Sequence, residues 1–505
     1  MIQAPVLRAW LDAAGGGRVA ACEAAARVAS DLGGGWCVVE QAGALARARL
    51  VLATERVGVS GALRAVDPGS SRAVAVVEAG QAWPTWDRSG RRGAGAYDTP
   101  REMARAVVRA ALDAAGGEAT SGLDPACGPG AFLVALAEAG VPRVRGVELE
   151  PAAAAVARIA VPGADVRVAD ALGSPLRRAD LVVGNPPFVP PERQSRALRD
   201  SLIERYPWLS GRFDLAVPFA AAAVEAADLA AALVLPAALL SQPYGAPLRR
   251  AWLGLHRVAS LERRAKFPGA SVPVALLSLS IGAGPGPVSP SGVPAATLLR
   301  LRRTPLDPCL RMGDVEAAEA VRAASAQLGD FCEVDTGVVA HGPLGGKGRL
   351  VRDEHEPGAR PYVDARDFFS GRRRWIHYRP DEMHRPKRPA LFADGKLLVQ
   401  RLIGAGGMRA GVDREGLIAG HTLTVVRPLP GCPLSLEQLL EALMHPSLGG
   451  VIRVEQGARL DLYPKDVRGW PLPRSWLEDT DSPLDAAMGL TTSQAASLAA
   501  LSRAR

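Results

Sequence analysis

The sequence predicts an α/β fold: an open sheet whose strands end in polar residues along one edge, followed by a second domain of different character. Three observations predict it. Residues 123–140 read as a strand end, a glycine-rich turn and a helix. Two more short apolar strands follow, each closing on a carboxylate, and a further strand runs straight into Asn185-Pro186-Pro187-Phe188. Beyond about residue 310 the strand–helix alternation is lost.

The Asn-Pro-Pro-Phe run carries the most chemistry. Leu181, Val182 and Val183 form a short apolar strand, and the two prolines then fix φ and remove two backbone donors. The run cannot continue as a central strand. It reads as a stiff loop at the strand's C-terminal end, where open α/β sheets place their ligands. The Asn185 amide oxygen and the Pro186 carbonyl can accept both hydrogens of an NH2 group, while Phe188 stacks on a planar ring. A proline-rich turn with a buried Phe is the plainer reading of the same residues.

Upstream, Leu123-Asp124-Pro125-Ala126-Cys127-Gly128-Pro129-Gly130-Ala131-Phe132-Leu133 leads into a helix that Gly140 is placed to stop. Gly128 and Gly130 let the backbone approach a ligand, and the helix N-terminus favours an anion. The third glycine of a dinucleotide fingerprint is absent, which disfavours a pyrophosphate cofactor. Val144 to Leu149 is the second strand, with Glu148 placed to accept from ribose hydroxyls. Val166 to Asp170 is the third, and Asp170 can accept from an adenine amino group. Singly, such acids are helix caps or solvated turn residues; together they describe a nucleoside-type cofactor laid across the strand ends.

These residues carry a family resemblance. Asp-Pro-Ala-Cys-Gly-Pro-Gly-Ala-Phe-Leu, then Glu148, Asp170 and Asn-Pro-Pro-Phe, resemble motifs I to IV of S-adenosylmethionine-dependent amino-methyltransferases of DNA. Their order is similar to the γ group of N6-adenine methyltransferases from restriction–modification systems. The resemblance implies a Rossmann-like seven-stranded methyltransferase sheet with S-adenosylmethionine as cofactor. It implies a cofactor site of Asp124, Ala126, Cys127, Gly128, Gly130, Glu148 and Asp170, and a catalytic loop of Asn185, Pro186, Pro187 and Phe188. In that group a segment before motif I also covers the cofactor, and Tyr97-Asp98-Thr99-Pro100 matches it. Locally Thr99 suits a helix N-cap, Pro100 the first helical position, and Glu102 a capping box. Pro129 departs from the commoner Ser, and Pro191 to Arg212 is a long, Arg-rich insert.

The resemblance continues downstream. Asp214 to Phe219 opens an Ala-rich helix, Ala231 to Leu235 is a strand, and Arg257–Arg263 with Val272–Ile281 form the antiparallel pair closing the sheet. Lys266-Phe267-Pro268 matches the place where relatives supply a second aromatic beside the flipped base; Phe267 fits a core plug equally well. The implied reaction is methyl transfer to the N6 amine of an adenine extruded from the duplex, without metal or covalent intermediate. Cytosine N4 has the same amine geometry, but relatives acting on it usually carry Ser where Asn185 stands.

At 505 residues two or three domains are expected. The divisions read as 1–90, a small region of unknown role containing a helix over Val6 to Ala14 and a strand over Arg49 to Ala53; 91–285, the methyltransferase domain; 286–309, a Pro/Gly-rich linker; and 310–505, a mixed α+β region resembling a target-recognition domain. That last part interleaves Arg349, Arg352, Arg366, Arg372, Arg373, Arg374, Trp375, His377 and Tyr378, with strands at Lys396–Ile403 and His421–Val426 and a helix over 436–444. The net charge of +8 and pI near 9.5 suit a phosphate backbone. Six scattered cysteines show no metal or disulfide spacing. With neither a signal segment nor an apolar run of spanning length, a soluble cytoplasmic protein is expected. The implied partners are double-stranded DNA and a cognate restriction endonuclease or defence-system subunit, and no membrane.

Other readings stay open. The Asn-Pro-Pro-aromatic loop also serves methyltransferases of RNA bases or of a protein glutamine. Pro380-Asp381 with Asp394-Gly395-Lys396 superficially fits a metal nuclease. A non-catalytic DNA-specificity subunit is a third possibility, against which the intact set of Asn185, Asp124 and Glu148 argues.

Overall fold

The structure is a computed structural model that describes residues 37–42, 47–52, 99–161, 163–264, 272–340, 349–403, 407–457 and 461–503. The expected helix over Val6 to Ala14, Tyr97 and Phe267 lie outside the described residues. The chain divides into two units, Met1–Pro308 and Cys309–Arg505.

In the first unit, β1 (Cys37–Ala42) and β2 (Arg47–Leu52) pair antiparallel, and β2 covers most of the strand expected there. The main sheet follows from β3 (Ser121–Asp124), β4 (Arg143–Glu148), β5 (Asp165–Val168), β6 (Ala179–Gly184), β7 (Ala227–Pro236), β8 (Arg257–Arg264) and β9 (Val274–Ser280). Their order is β5-β4-β3-β6-β7-β9-β8. All pairings from β5 to β7 are parallel, and β9 runs antiparallel between β7 and β8. This is the Rossmann-like seven-stranded sheet that the sequence predicts. The order reverses between β3 and β6, so the carboxyl ends of those two strands flank the topological switch point, where such sheets bind ligands.

Helix α1 (Arg101–Ala115) buries Met103, Ala104, Val107, Val108, Ala111 and Ala114. That stripe has the i, i+3/i+4 spacing of a helix packed on a sheet. Gly116 ends it in the left-handed region, and the Gly117 amide bonds back to Leu112 at 2.9 Å. The start corrects the sequence expectation. Pro100, not Thr99, occupies the N-cap, and no side chain caps the helix. Glu102 instead pairs with Arg105. Helix α2 (Ala131–Glu138) stops as expected, with Gly140 at φ 81 bonding back to Ala137. Helix α3 (Pro151–Ala160) follows β4, and α4 (Arg196–Arg205) lies within the Arg-rich insert. The Ala-rich α5 (Ala216–Ala226) is buried along nearly its whole length, its small side chains permitting close approach to the sheet.

Residues 286–309 do not act as a loose linker. Val288, Val293 and Ala295 are fully or nearly buried, and α7 (Ala295–Arg300) is helical. Arg249, on α6 (Ala246–Leu255), is wholly buried without a carboxylate partner among the described residues. Its guanidinium donates to the carbonyls of Thr304 (2.8 Å), Arg303 (2.7 Å) and Gln242 (3.0 Å), as well as Leu239. Burial pushes Arg249 down to about 9. The carbonyl cage fixes residues 303–304 to the first unit, so the boundary falls at Pro308.

The second unit opens with α8 (Met312–Ala323) and β10 (Ser325–Gln327). One four-stranded sheet joins β11 (Cys332–Thr336), β15 (Lys396–Gln400), β16 (Ala410–Asp413) and β18 (Leu423–Pro428), in the order β11-β18-β15-β16. Another joins β12 (Val351–Arg352), β13 (Arg360–Val363), β14 (Arg374–Ile376) and β17 (Ile418–Ala419), while β10 pairs with β19 (Pro471–Pro473). Tyr362, Ile376, Phe392, Leu398 and Leu423 lie in the core around them. The short α9 (Ala365–Ser370) is capped by Asp364. Helix α10 (Leu436–Met444) matches its expected span. Helix α11 (Pro446–Gln456) packs against α12 (Thr492–Arg503) through Gly450, where a Cβ would fall 2.2 Å from the Leu498 carbonyl. A Gly-Gly pair signals a break in a sequence; here it permits a helix crossing.

Most of the cations expected to face DNA are paired internally. Arg349 and Arg379 bind Glu382, Arg352 and His377 bind Glu356, Arg372 and Arg374 bind Asp353, and Arg373 binds Glu415. Glu382, Glu356 and Glu415 are accordingly held below the usual carboxylate range, chiefly by hydrogen bonds from Arg379, His377 and Arg373. Trp375 packs edge-on to His355. Arg366 is exposed with no ion pair among the described residues, and exposed Arg409 stacks on Phe369 at 4.1 Å.

Lys396 is also turned inward. Its ammonium is fully buried against the Asp413 carboxylate, its cross-strand partner, and donates to the carbonyls of Phe392 (3.1 Å) and Ala393 (3.0 Å). Asp413 also accepts from the amides of Glu415 (2.8 Å) and Leu417 (2.9 Å). The pair is structural and cannot serve as the lysine of a nuclease site. Burial pushes Lys396 down, opposed by the bond to Asp413. Asp413→Ala strands that cation and is expected to cost about 3–5 kcal/mol. The measurement is the urea midpoint of the full chain; an unchanged midpoint would mean the two carbonyls alone compensate the charge.

Candidate active site at the strand ends

The site is built on three adjacent parallel strands, β4, β3 and β6. At the end of β3, Asp124 is wholly buried, and its Oδ1 accepts from the Ala126 amide at 3.0 Å. This Asx-type bond turns the chain tightly into the glycine-rich segment. The Cys127 amide then donates to the Val147 carbonyl at 3.0 Å, tying the turn to β4. Gly130 has φ 102, and a Cβ there would lie 3.2 Å from the Ala157 Cα of α3, so glycine serves both conformation and packing. Gly146 on β4 leaves room for the Cys127 sulfur, which a Cβ would approach to 2.7 Å. Cys127 is buried, and burial, then the nearby Asp124 and Glu148, push its thiol well up. That environment suits packing and opposes a thiolate nucleophile.

Glu148 closes β4. Its Oε2 accepts from the Gly128 amide and its Oε1 from the Glu150 amide, each at 2.8 Å. Burial nevertheless pushes Glu148 up. Each carboxylate oxygen has a second lone pair, so the residue can hold the turn and still accept from a ligand diol. Asp170, beyond β5, is exposed and receives the Leu172 amide at 2.9 Å.

Across the switch point, β3 and β6 align Leu123 with Val182. Gly184 therefore meets Asp124, and a Cβ at 184 would lie 2.8 Å from Asp124 Oδ1. Asn185 follows. Its Nδ2 donates to Thr99 Oγ1 at 3.1 Å. Its Oδ1 is buried and has no hydrogen-bond partner among the described residues, and the same holds for Asp124 Oδ2. Pro186 is buried and Pro187 half-buried. The Phe188 ring, 5% exposed, lies within the sheet–helix core with Met103 and Phe132 rather than on the surface.

The loop's far end is held by Gln194, which the sequence does not single out, and by Asp214. Gln194 donates through Nε2 to the carbonyls of Val189 (2.7 Å) and Phe213 (2.8 Å), and the Leu215 amide also reaches Val189 at 3.0 Å. Asp214 Oδ1 receives the Ala216 amide at the start of α5, and burial pushes Asp214 up. Gln194 sits among arginines with no local signal; only the position of an Ala-rich helix directly after the insert hinted at an anchor.

No family model matches the chain, and no curated protein is similar to it. Solved structures resemble parts of it. A modification subunit assigned to a type I restriction enzyme of Vibrio vulnificus YJ016 is 19% identical over 42% of this chain and 50% of its own, with a TM-score of 0.32. A type I restriction-modification methyltransferase subunit from Streptococcus thermophilus is 17% identical over 43% and 51%, with a TM-score of 0.32. A Pyrococcus horikoshii protein assigned as an RNA methyltransferase is 19% identical over 38% and 89%, with a TM-score of 0.27. The match spans about half of each restriction subunit's length. The fold class rests on the sheet itself: seven strands, mostly parallel, with one antiparallel strand and a reversal of order between β3 and β6 make it Rossmann-like.

Among the described residues no helix is long and apolar enough to cross a membrane, and no group of three or more His, Cys, Asp or Glu gathers as for a metal.

Asp124 gives the site a pH signature. Burial pushes it from 3.8 up to about 8, opposed by the Ala126 amide and reinforced by Glu148. A carboxyl raised on folding keeps its proton while the unfolded chain ionises. Its contribution is therefore intact below about pH 4 and is lost as pH rises towards about 8. Asp124→Asn should stabilise the ligand-free protein at pH 8, with the gain shrinking as pH falls towards about 4. Thermal melting across that range reads it; a gain independent of pH would mean Asp124 is already ionised in the fold.

Proposed function

We propose that this chain is an S-adenosylmethionine-dependent DNA methyltransferase acting on the N6 amine of a flipped adenine, in a restriction–modification or phage-defence setting. The observation that carries the reading is the Asn185 amide: its oxygen is buried and unpartnered among the described residues, on a donor-free Asn-Pro-Pro loop beside the glycine-rich turn. A buried acceptor left unsatisfied costs about 1–3 kcal/mol. An amine substrate removes that cost, because its N–H donates to Asn185 Oδ1 while the second N–H meets the Pro186 carbonyl.

The residues present fit the cofactor. Asp124 Oδ2, without a partner among the described residues, suits a cationic or N–H donor group once the carboxyl has given up its proton, Glu148 a ribose diol, and Asp170 an adenine amine. Ala126, Cys127, Gly128 and Gly130 supply the turn. S-adenosylmethionine, when bound, supplies an electrophilic methyl group on a sulfonium.

The protein's contribution is positioning. Hydrogen bonds from N6–H to Asn185 and Pro186 draw the planar amine towards a tetrahedral form and localise its lone pair. No protein group need be alkylated, and the raised Cys127 thiol is not a competing nucleophile. Phe188 anchors the loop from the core; stacking on the base calls for its ring to turn outward when the substrate enters. The second unit is the proposed target-recognition domain, with exposed Arg366 and the stacked Arg409–Phe369 pair as cations available to phosphates. A cytoplasmic setting and a nuclease or defence-system partner complete the reading.

The test is transfer of label from S-adenosylmethionine to unmethylated genomic DNA, followed by nucleoside analysis and modification-sensitive sequencing. N6-methyladenine in one sequence context is expected. Label in RNA or protein, or none in DNA with cofactor bound, would overturn the substrate assignment. Asn185→Ala is expected to lower transfer by about 10²–10³-fold, as for loss of one preorganised polar contact, with cofactor affinity changed by less than about threefold. Near-normal rates in that variant would refute the mechanism.

A further inference from the structure

We propose that Thr99 is a positioning residue for methyl transfer: it accepts from Asn185 Nδ2 and so turns the amide oxygen towards the substrate amine. The inference rests on the methyltransferase reading above and goes beyond the cofactor contact that the resemblance implies for Thr99.

An asparagine amide has two ends of similar size and opposite hydrogen-bonding sense. Only the oxygen can accept from an amine; turned the other way, the side chain would oppose N–H to N–H. A loop with two prolines fixes the backbone of this segment but leaves the last torsion of Asn185 soft. A contact from outside the loop is needed to hold that torsion, and a hydroxyl, able to accept from Nδ2, supplies one. The Thr99 hydroxyl lies 3.1 Å from Nδ2, across 86 positions of sequence, and Oδ1 is left buried and unpartnered among the described residues.

Thr99 is well placed to do this. It is 6% exposed. The following Pro100 holds it to an extended backbone, and β-branching stiffens its side chain. The Pro100 carbonyl accepts from the amides of Met103 and Ala104, each at 3.0 Å, which joins the segment to α1 and its buried face. The hydroxyl is thereby referred to the same core that seats Phe188 at the other end of the loop.

A cofactor contact and a positioning contact separate experimentally. Thr99→Val keeps the shape and removes the hydroxyl; Thr99→Ser restores it. The full-length variants are compared with wild type for kcat and KM on unmethylated DNA and for S-adenosylmethionine affinity by calorimetry. The expected result for Thr99→Val is a fall in kcat of about a hundredfold, the scale of a misplaced reacting group. Cofactor Kd and DNA KM should stay within about threefold, because a well-oriented Asn185 oxygen gains most as the amine becomes tetrahedral, so the loss falls mainly on kcat. Thr99→Ser should recover most of the rate. Wild-type kcat in Thr99→Val, a loss matched by weaker cofactor binding, or no recovery in Thr99→Ser would each overturn the inference. If the wild type itself transfers nothing to DNA, the methyltransferase reading fails and this inference with it; if wild type transfers and Thr99→Val equals it, only the inference fails.

Discussion

The close approach of Gly184 to the Asp124 carboxylate is the constraint on which the site depends. β3 and β6 are parallel neighbours at the point where strand order reverses, and their register brings the two residues together. With only 2.8 Å between a would-be Cβ at 184 and Asp124 Oδ1, any side chain there would part the strands or turn the carboxylate. β3 lies in the sheet interior between two parallel partners, so the strain could not be relieved at an edge. Glycine at 184 lets the Asn-Pro-Pro loop leave the sheet directly over the glycine-rich turn. Gly122 and Gly146 act alike one and two strands over, making room for Leu136 and for the Cys127 sulfur. Three glycines on three strands thus let helix, turn and loop sit low on the sheet edge.

That packing leaves two buried oxygens without partners among the described residues, Asp124 Oδ2 and Asn185 Oδ1. Folding alone gives no reason to keep either one, since apolar groups of the same shape would avoid the desolvation cost. Their neighbours show how thoroughly the fold otherwise satisfies its polar groups here: both Glu148 oxygens, Asp124 Oδ1, Asp170 Oδ1 and Asp214 Oδ1 all receive backbone amides. Gln194 Oε1 is likewise buried without a partner among the described residues, but Asp124 Oδ2 and Asn185 Oδ1 lie at the ends of the two strands that flank the switch point. A donor-bearing ligand across those ends is the economical explanation, and it joins cofactor and substrate chemistry at one place.

What was legible in the sequence was local. Strand, turn and helix between 121 and 140, the polar strand ends, the stop at Gly140 and the antiparallel closing pair each depend on contiguous residues, and all are present. What was not legible depends on partners distant in sequence. Local capping rules fit Thr99-Pro100-Arg101-Glu102, yet a partner 86 positions away takes the Thr99 hydroxyl. Proline and glycine content marked 286–309 as a linker, but Val288 and Val293 are buried and the Arg249 guanidinium grips 303–304. Phe188 carried the right residue type for stacking, and its actual setting in the core could not be read from type alone.

The second unit shows why a basic composition locates nothing. Its arginines look like a DNA-facing run because sequence displays cations side by side and hides the acids that fold against them. Asp353, Glu356, Glu382 and Glu415 take up most of that charge. Exposed pairs of this kind contribute little to stability, but each lowers the local field a phosphate would feel. A polyanion is therefore attracted chiefly by cations that lack such partners, and these are set by tertiary structure. Among the described residues, Arg366 on α9 and Arg409 over Phe369, a residue of the same short helix, meet that condition. The aromatic surface beneath Arg409 orients its guanidinium without neutralising it, which a carboxylate partner could not do.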